Sequence, residues 1–133
     1  MTPFALLLQL AGLSQREAAT FLNVSPSSVD KMARGIRSTP SGVVDELRSL
    51  IAAQARTAGE FLDMIEEQSP DEIELGYPAD DYEAQSLGWP SVGAWATMAA
   101  RVIAEADCTV VLVPRGSTAV TAAAADIHDI ERP

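Results

Sequence analysis

The sequence predicts a mainly α-helical chain with a small α+β part in its second half. Three observations carry that expectation. Apolar residues recur at helical spacing through most of the first half. Two short stretches, 71–77 and 108–113, instead carry alternating or β-branched apolar residues. Turn residues (Asn23, Gly35, Ser69-Pro70, Pro78, Pro114) separate these segments.

The first helix is expected over Pro3 to Ala11, with Phe4, Leu7, Leu8 and Ala11 at core spacing. Ser14-x-x-Glu17 reads as a capping box, in which hydroxyl and carboxylate each satisfy a free amide, and starts a second helix at Gln15. That helix runs to about Leu22, with Ala18, Ala19 and Leu22 as its apolar stripe. Asn23 tolerates a left-handed conformation, and Val24 tucks inward at the turn. Ser25-Pro26 restarts the chain, Ser as N-cap and Pro at the first helical position. Val29 and Met32 supply the buried face of this third helix, and Gly35 closes it just beyond the cap.

Ile36 to Thr39 reads as a loop, and Pro40 sits at the next helix start. Val43, Val44, Leu47, Leu50, Ile51 and Ala55 form a long stripe, which Phe61, Leu62 and Ile65 continue past Gly59, a site for a bend. Ser69-Pro70 ends that run. A short strand follows over Asp71 to Tyr77, then a brief helix over Asp80 to Ser86 with Tyr82 facing inward. Leu87-Gly88-Trp89-Pro90 is a tight loop, and Ser91 caps a helix to about Glu105. Its expected core face is Val92, Trp95, Ala99, Val102, Ile103 and Ala106. Cys108 to Val113 is a strong strand, and the Ala-rich stretch from Ser117 to Arg132 reads as a marginal helix.

With Val29 and Met32 buried, the third helix leaves Ser27, Ser28, Asp30, Lys31 and Arg34 for solvent. Such a polar helix following a tight turn has the geometry of an element that enters a DNA major groove. Ser27, Ser28 and Lys31 are then the candidates for base contact. Gln15, at a helix N-terminus, suits phosphate or bracing; Arg34 and Arg37 suit the DNA backbone; Asp30 is placed to pair with Arg34. These residues resemble the helix-turn-helix of the XRE/Cro family of phage and bacterial repressors. The likeness runs from Leu13 to Pro40: Leu-Ser-Gln at the start, Glu-Ala-Ala in the first helix, Val-Ser in the turn and Arg-Gly before the next helix. It implies a five-helix, lambda-repressor-like domain and a DNA-binding set of Gln15, Ser25, Ser27, Ser28, Lys31, Arg34 and Arg37. One departure is Pro26, where many relatives carry a donor side chain.

The second half resembles the dimerisation region of small two-domain repressors, namely the YdiL-like proteins and a class of anti-CRISPR-associated autoregulators. The residues involved are Tyr77, Tyr82, Gly88-Trp89 and Ala99-Ala100, with a strand after them. The expected organisation is a helix-turn-helix domain at 1–68, a helix and strand dimerisation domain at 69–114 and an extension at 115–133. Two short strands make a poor sheet alone, so the strand at 109–113 is either internal to one subunit or paired across a two-fold axis. Trp89 and Trp95 suit the core better than an interface.

The formal net charge is -10, unusual for a DNA-binding chain, but it is segregated. Residues 1–59 carry Arg16, Lys31, Arg34, Arg37, Arg48 and Arg56 against four acids, whereas 60–133 hold three arginines against fifteen acids. A weakly basic half of this kind gains little from phosphate attraction alone and depends on its specific site. The start lacks the basic, apolar pattern of a signal peptide, and no apolar run is long enough to span a bilayer; a cytoplasmic protein is expected. Cys108 is the sole cysteine, which excludes an internal disulfide and a cysteine-cluster zinc site. His128, the one histidine, falls in an expected tail, and neither a phosphate loop nor a nucleophile arrangement is present, so neither catalysis nor a cofactor is expected. Asp80, Asp81 and Glu83 read as a solvated acidic turn, with a weak divalent-cation site as the other reading. The leading functional expectation is a homodimeric regulator, an (auto)repressor on an inverted repeat of double-stranded DNA. The alternatives are an antitoxin whose acidic half binds a toxin, and a protein-binding adaptor whose helix-turn-helix no longer reads DNA.

Overall fold

The computed structural model describes residues 1–116; the expected helix within 117–132 lies outside the described residues. Six helices and two strands follow in the order α1 (Pro3–Ala11), α2 (Gln15–Leu22), α3 (Pro26–Ala33), α4 (Ser41–Gln68), β1 (Glu72–Tyr77), α5 (Asp81–Ser86), α6 (Val92–Glu105) and β2 (Thr109–Pro114).

Each early boundary has a local cause. Thr2 Oγ1 accepts from Ala5 N at 3.1 Å and starts α1; α1 ends at Gly12, whose φ of 76° is a left-handed C-terminal cap. The capping box of α2 is complete, with Glu17 N donating to Ser14 Oγ at 3.1 Å and Ser14 N donating to Glu17 Oε1 at 2.9 Å. Asn23 takes the left-handed turn at φ 56°. Arg34 caps α3, and Gly35 beyond it adopts φ 78°.

Two parts of the expected helical layout are corrected. Residues 1–68 hold four helices rather than five, because α4 is a single helix of 28 residues. At about 1.5 Å per residue it is roughly 42 Å long. Gly59 does not interrupt it: the buried positions Val43, Leu47, Leu50, Gln54, Ala58, Phe61 and Ile65 keep helical spacing on both sides. The stripe passes through Gln54 rather than Ala55, which is exposed.

The α4 stripe packs on α1 and α6. One contiguous core therefore runs from Phe4 and Leu8 through Leu47 and Phe61 to Trp95, Met98 and Val102. Trp89 and Trp95 both lie in it. Where α1 ends, its backbone lies directly on α6. A Cβ on Gly12 would collide with the Gly93 carbonyl and with Thr97 Oγ1, and one on Gly93 would collide with the Gly12 carbonyl oxygen. Beside this contact Gln54, wholly buried, donates from Nε2 to Ala11 O at 2.8 Å and to Ala94 O at 3.0 Å. One amide thus ties three helices and satisfies a carbonyl at the end of α1 that has no partner within its own helix.

The acidic turn proves to be a capping device. Asp80 Oδ1 accepts from Glu83 N at 2.9 Å, Glu83 Oε1 from Ala79 N at 2.9 Å, and Asp81 Oδ1 from Val92 N at the start of α6 at 2.9 Å. Two expected core residues are corrected. Tyr82 is 82% exposed, because Ala84 takes the inward position of the short α5 and Tyr82 points about 200° away. Ile103 is 46% exposed; the α6 core face is Ala94, Trp95, Met98, Ala99 and Val102, and Ile103 lies one residue off its edge.

Strands β1 and β2 pair in parallel within the chain, Ile73 opposite Val110 and Leu75 opposite Leu112, with α5 and α6 forming the crossover. Of the two arrangements left open by the sequence, the internal pair is thus present. Among the described residues the other edge of β2 has no strand beside it.

Candidate nucleic-acid interface

The α2–turn–α3 unit rests on an apolar underside: Ala18, Ala19 and Leu22 from α2 and Val29 and Met32 from α3 are all buried. The far end of α3 is also pinned. Thr2 Oγ1 donates to Ala33 O at 2.8 Å, so the residue that caps α1 also holds the C-terminus of α3. That tie was missed in the sequence. Its one signal was Thr2-Pro3, a cap residue before a first-turn proline, which predicts the helix start but not the distant carbonyl.

The solvent face of α3 is polar throughout. Ser27, Lys31 and Arg34 are exposed and lie on successive turns. Among the described residues Lys31 forms no ion pair. Arg34 Nη1 pairs with Asp30 Oδ2 at 3.0 Å, one turn back, as the spacing suggested.

The N-terminal end of α3 is organised by two serines and an arginine. Ser25 Oγ accepts from Ser28 N at 3.0 Å and thereby caps the helix. Its hydroxyl donates to Ser28 Oγ at 2.9 Å. Arg37 Nη1 donates to the same Ser28 oxygen at 2.7 Å. Ser28 is therefore a half-buried hub, and Arg37 is drawn back from the loop to the start of α3. A guanidinium there adds its charge to the positive end of the helix dipole, an arrangement suited to a phosphate oxygen. Gln15 is exposed at the first position of α2.

The predicted residues Ser25, Ser27, Ser28, Lys31, Arg34 and Arg37 are thus grouped on or beside α3, with Gln15 on the preceding helix. Arg16 lines a separate cleft with Thr20, Phe21, Asp81 and Gln85. Among the described residues no group of three or more His, Cys, Asp or Glu is placed to hold a metal ion. No described helix is long and apolar enough to cross a membrane.

Residues 5–47 match the helix-turn-helix family model. They cover α1, α2, α3 and the first turns of α4, the same elements that carry the polar face. This segment is therefore similar to XRE-type helix-turn-helix units, which bind DNA in the transcription regulators that carry them. The match gives no support to the YdiL-like resemblance of the second half. No curated protein matches the chain.

Proposed function

We propose that this protein is a homodimeric, sequence-specific regulator of transcription that acts in the cytoplasm and represses its own operon from an inverted-repeat operator. The observation that carries the reading is the construction of α3. Its underside is closed by Val29 and Met32, while Ser27 and Lys31, exposed on the solvent face, have no side-chain bond among the described residues and Arg37 is held at its N-terminal end. In this reading α3 enters the major groove. Ser27 and Lys31 reach base edges, and Arg37 with Gln15 meets phosphate oxygens on either side. Ser25 and Ser28 act by keeping the helix start and Arg37 in place. Arg34, shared with Asp30, is a backbone contact weakened by that carboxylate.

The charge distribution supports the same orientation. The half bearing α3 has a small positive excess, and the acids lie mainly beyond residue 60. Weak basicity means that contacts at the operator, more than long-range attraction, must supply affinity. A two-fold dimer would present its two α3 helices about one DNA turn apart, roughly 34 Å.

The test is fluorescence anisotropy on the protein's own promoter DNA across a salt series, with Lys31→Glu in parallel. Tight binding to an inverted repeat, weakened by salt and lost in the variant, is expected. Absence of binding at low salt would overturn the reading.

A further inference from the structure

Among the described residues the outer edge of β2 has no neighbour, and it differs in kind from an ordinary sheet edge. Thr109 N donates to Asp71 O and Arg115 N to Tyr77 O, so the odd-numbered residues of this strand turn their backbone groups toward β1. The backbone groups of Val110 and Leu112 therefore point away from β1, along the uncovered edge. Pro114, which has no N–H to offer, stands at the outward-facing position where the strand ends.

Side chains repeat the asymmetry. β1 carries Glu72 and Glu74, the charged residues that usually blunt an edge, yet its Ile73 and Leu75 are buried. β2, Thr-Val-Val-Leu-Val-Pro, carries no charge, which suits a central strand, yet none of its residues is fully buried and Leu112 is 43% exposed. That composition suits a strand with a neighbour on both sides, and the described residues supply one of the two.

From this edge we propose that β2 pairs antiparallel with β2 of a second copy about a two-fold axis at Val111, making a continuous β1–β2–β2–β1 sheet. The proposal deepens the homodimer reading given above and rests on it. The register is selected by charge. Asp107 and Arg115 lie four residues to either side of Val111. Both flank the strand, Asp107 in the bend before it and Arg115 in the turn after it, so an axis at Val111 brings Asp107 of one copy beside Arg115 of the partner subunit at each end of the ladder. In the same register Val110 and Leu112 exchange both N–H···O bonds with their counterparts. Pro114 falls opposite Cys108, outside the strand, so the missing proline N–H sits at the margin. The two copies of Val111 face each other as a close β-branched pair.

The experiment is sedimentation velocity of the full chain without DNA at micromolar concentration. Wild type is expected to be a dimer. Asp107→Arg and Arg115→Asp each place like charges opposite one another, and each should weaken the dimer on the order of tenfold. Mixing the two variants restores both opposite-charge pairs and should return a heterodimer close to wild type. Leu112→Pro deletes an N–H that faces outward and leaves the bonds to β1, so it should give a monomer; circular dichroism checks that it is folded. A monomeric wild type would overturn the proposal. So would a dimer indifferent to the charge variants and to their mixing. Because DNA is absent, failure of operator binding would leave this result standing. A chain that binds the operator but stays monomeric in solution would overturn this pairing and the homodimer, and would leave DNA binding through α3 standing.

Discussion

The solvent face of α3 and the outer edge of β2 are incomplete in opposite ways. On α3 the apolar work is finished, since Val29 and Met32 are buried, and what remains outside is polar. On β2, among the described residues, the backbone is bonded on one side only and what remains outside is apolar, Leu112 above all. A helix satisfies its own backbone, so its exposed face is free to specialise in side-chain chemistry. A strand satisfies only one side per neighbour, so its exposed edge specialises in backbone pairing. The first surface suits a charged polymer and the second suits another strand. Substitutions on either surface should therefore move one property and leave the other, whereas damage to the joint between α1, α4 and α6 should move both.

The largest effect is expected at that joint. Gly12→Ala forces a left-handed φ on an L residue, costing about 1–2 kcal/mol. It also drives a methyl group into the Gly93 carbonyl and Thr97, costing a further ~1–3 kcal/mol. Against a total stability of roughly 5–15 kcal/mol this is a large fraction. Urea unfolding should show the loss, and dimer and operator binding should fall together; if only one falls, the two surfaces do not share this support. Gln54→Leu comes next. It retains volume but leaves Ala11 O without its donor, so a loss of about 1–2 kcal/mol is expected in the same titration. An unchanged midpoint would mean that the amide is dispensable to the joint.

The helix ends and turns of this chain were legible because their causes lie within a few residues. Ser14 and Glu17, Asn23, Ser25-Pro26 and Gly35 all do locally what their chemistry suggests. Both strands were also found, each from its own pattern. The joint was not legible. A glutamine within an apolar stripe reads as a break in the stripe, and Gln54 is buried only because Ala11 and Ala94, more than forty and exactly forty positions away in the chain, offer it carbonyls. Nothing near Gly12 or Gly93 in the chain marks either one, because their role is mutual. The inward Tyr82 and Ile103 failed for a related reason: aromatic and aliphatic character was taken for burial, while packing chose the smaller Ala84 and the neighbouring Val102. At the candidate interface the exposed positions were legible by elimination. The hydrogen bond from Arg37 to Ser28 was not, because it crosses a loop.

Lys31→Glu should leave unfolding and sedimentation unchanged while weakening operator binding by tenfold or more, since it replaces a contact with a repulsion. Arg37→Ala is expected to weaken binding more evenly across DNA sequences and to lower the slope of affinity against salt by about one. If either variant also dissociated the dimer, the separation between the two surfaces would be lost.

The smallest effect sharpens the comparison most. Asp30 and Arg34 are paired, but their side chains are 45% and 60% exposed, so solvent screens most of the attraction. Asp30→Ala should therefore change stability by no more than about 0.5 kcal/mol. The same change removes the one carboxylate of α3 and releases Arg34 toward the phosphates, so operator affinity should rise about twofold, most clearly at low salt. A rise in affinity at constant stability would mark α3 as a surface kept below its greatest attraction for DNA, with Asp30 restraining non-specific binding. A fall would mean that the pair instead holds Arg34 in its binding posture, and that α3, like β2, depends on a partner to be complete.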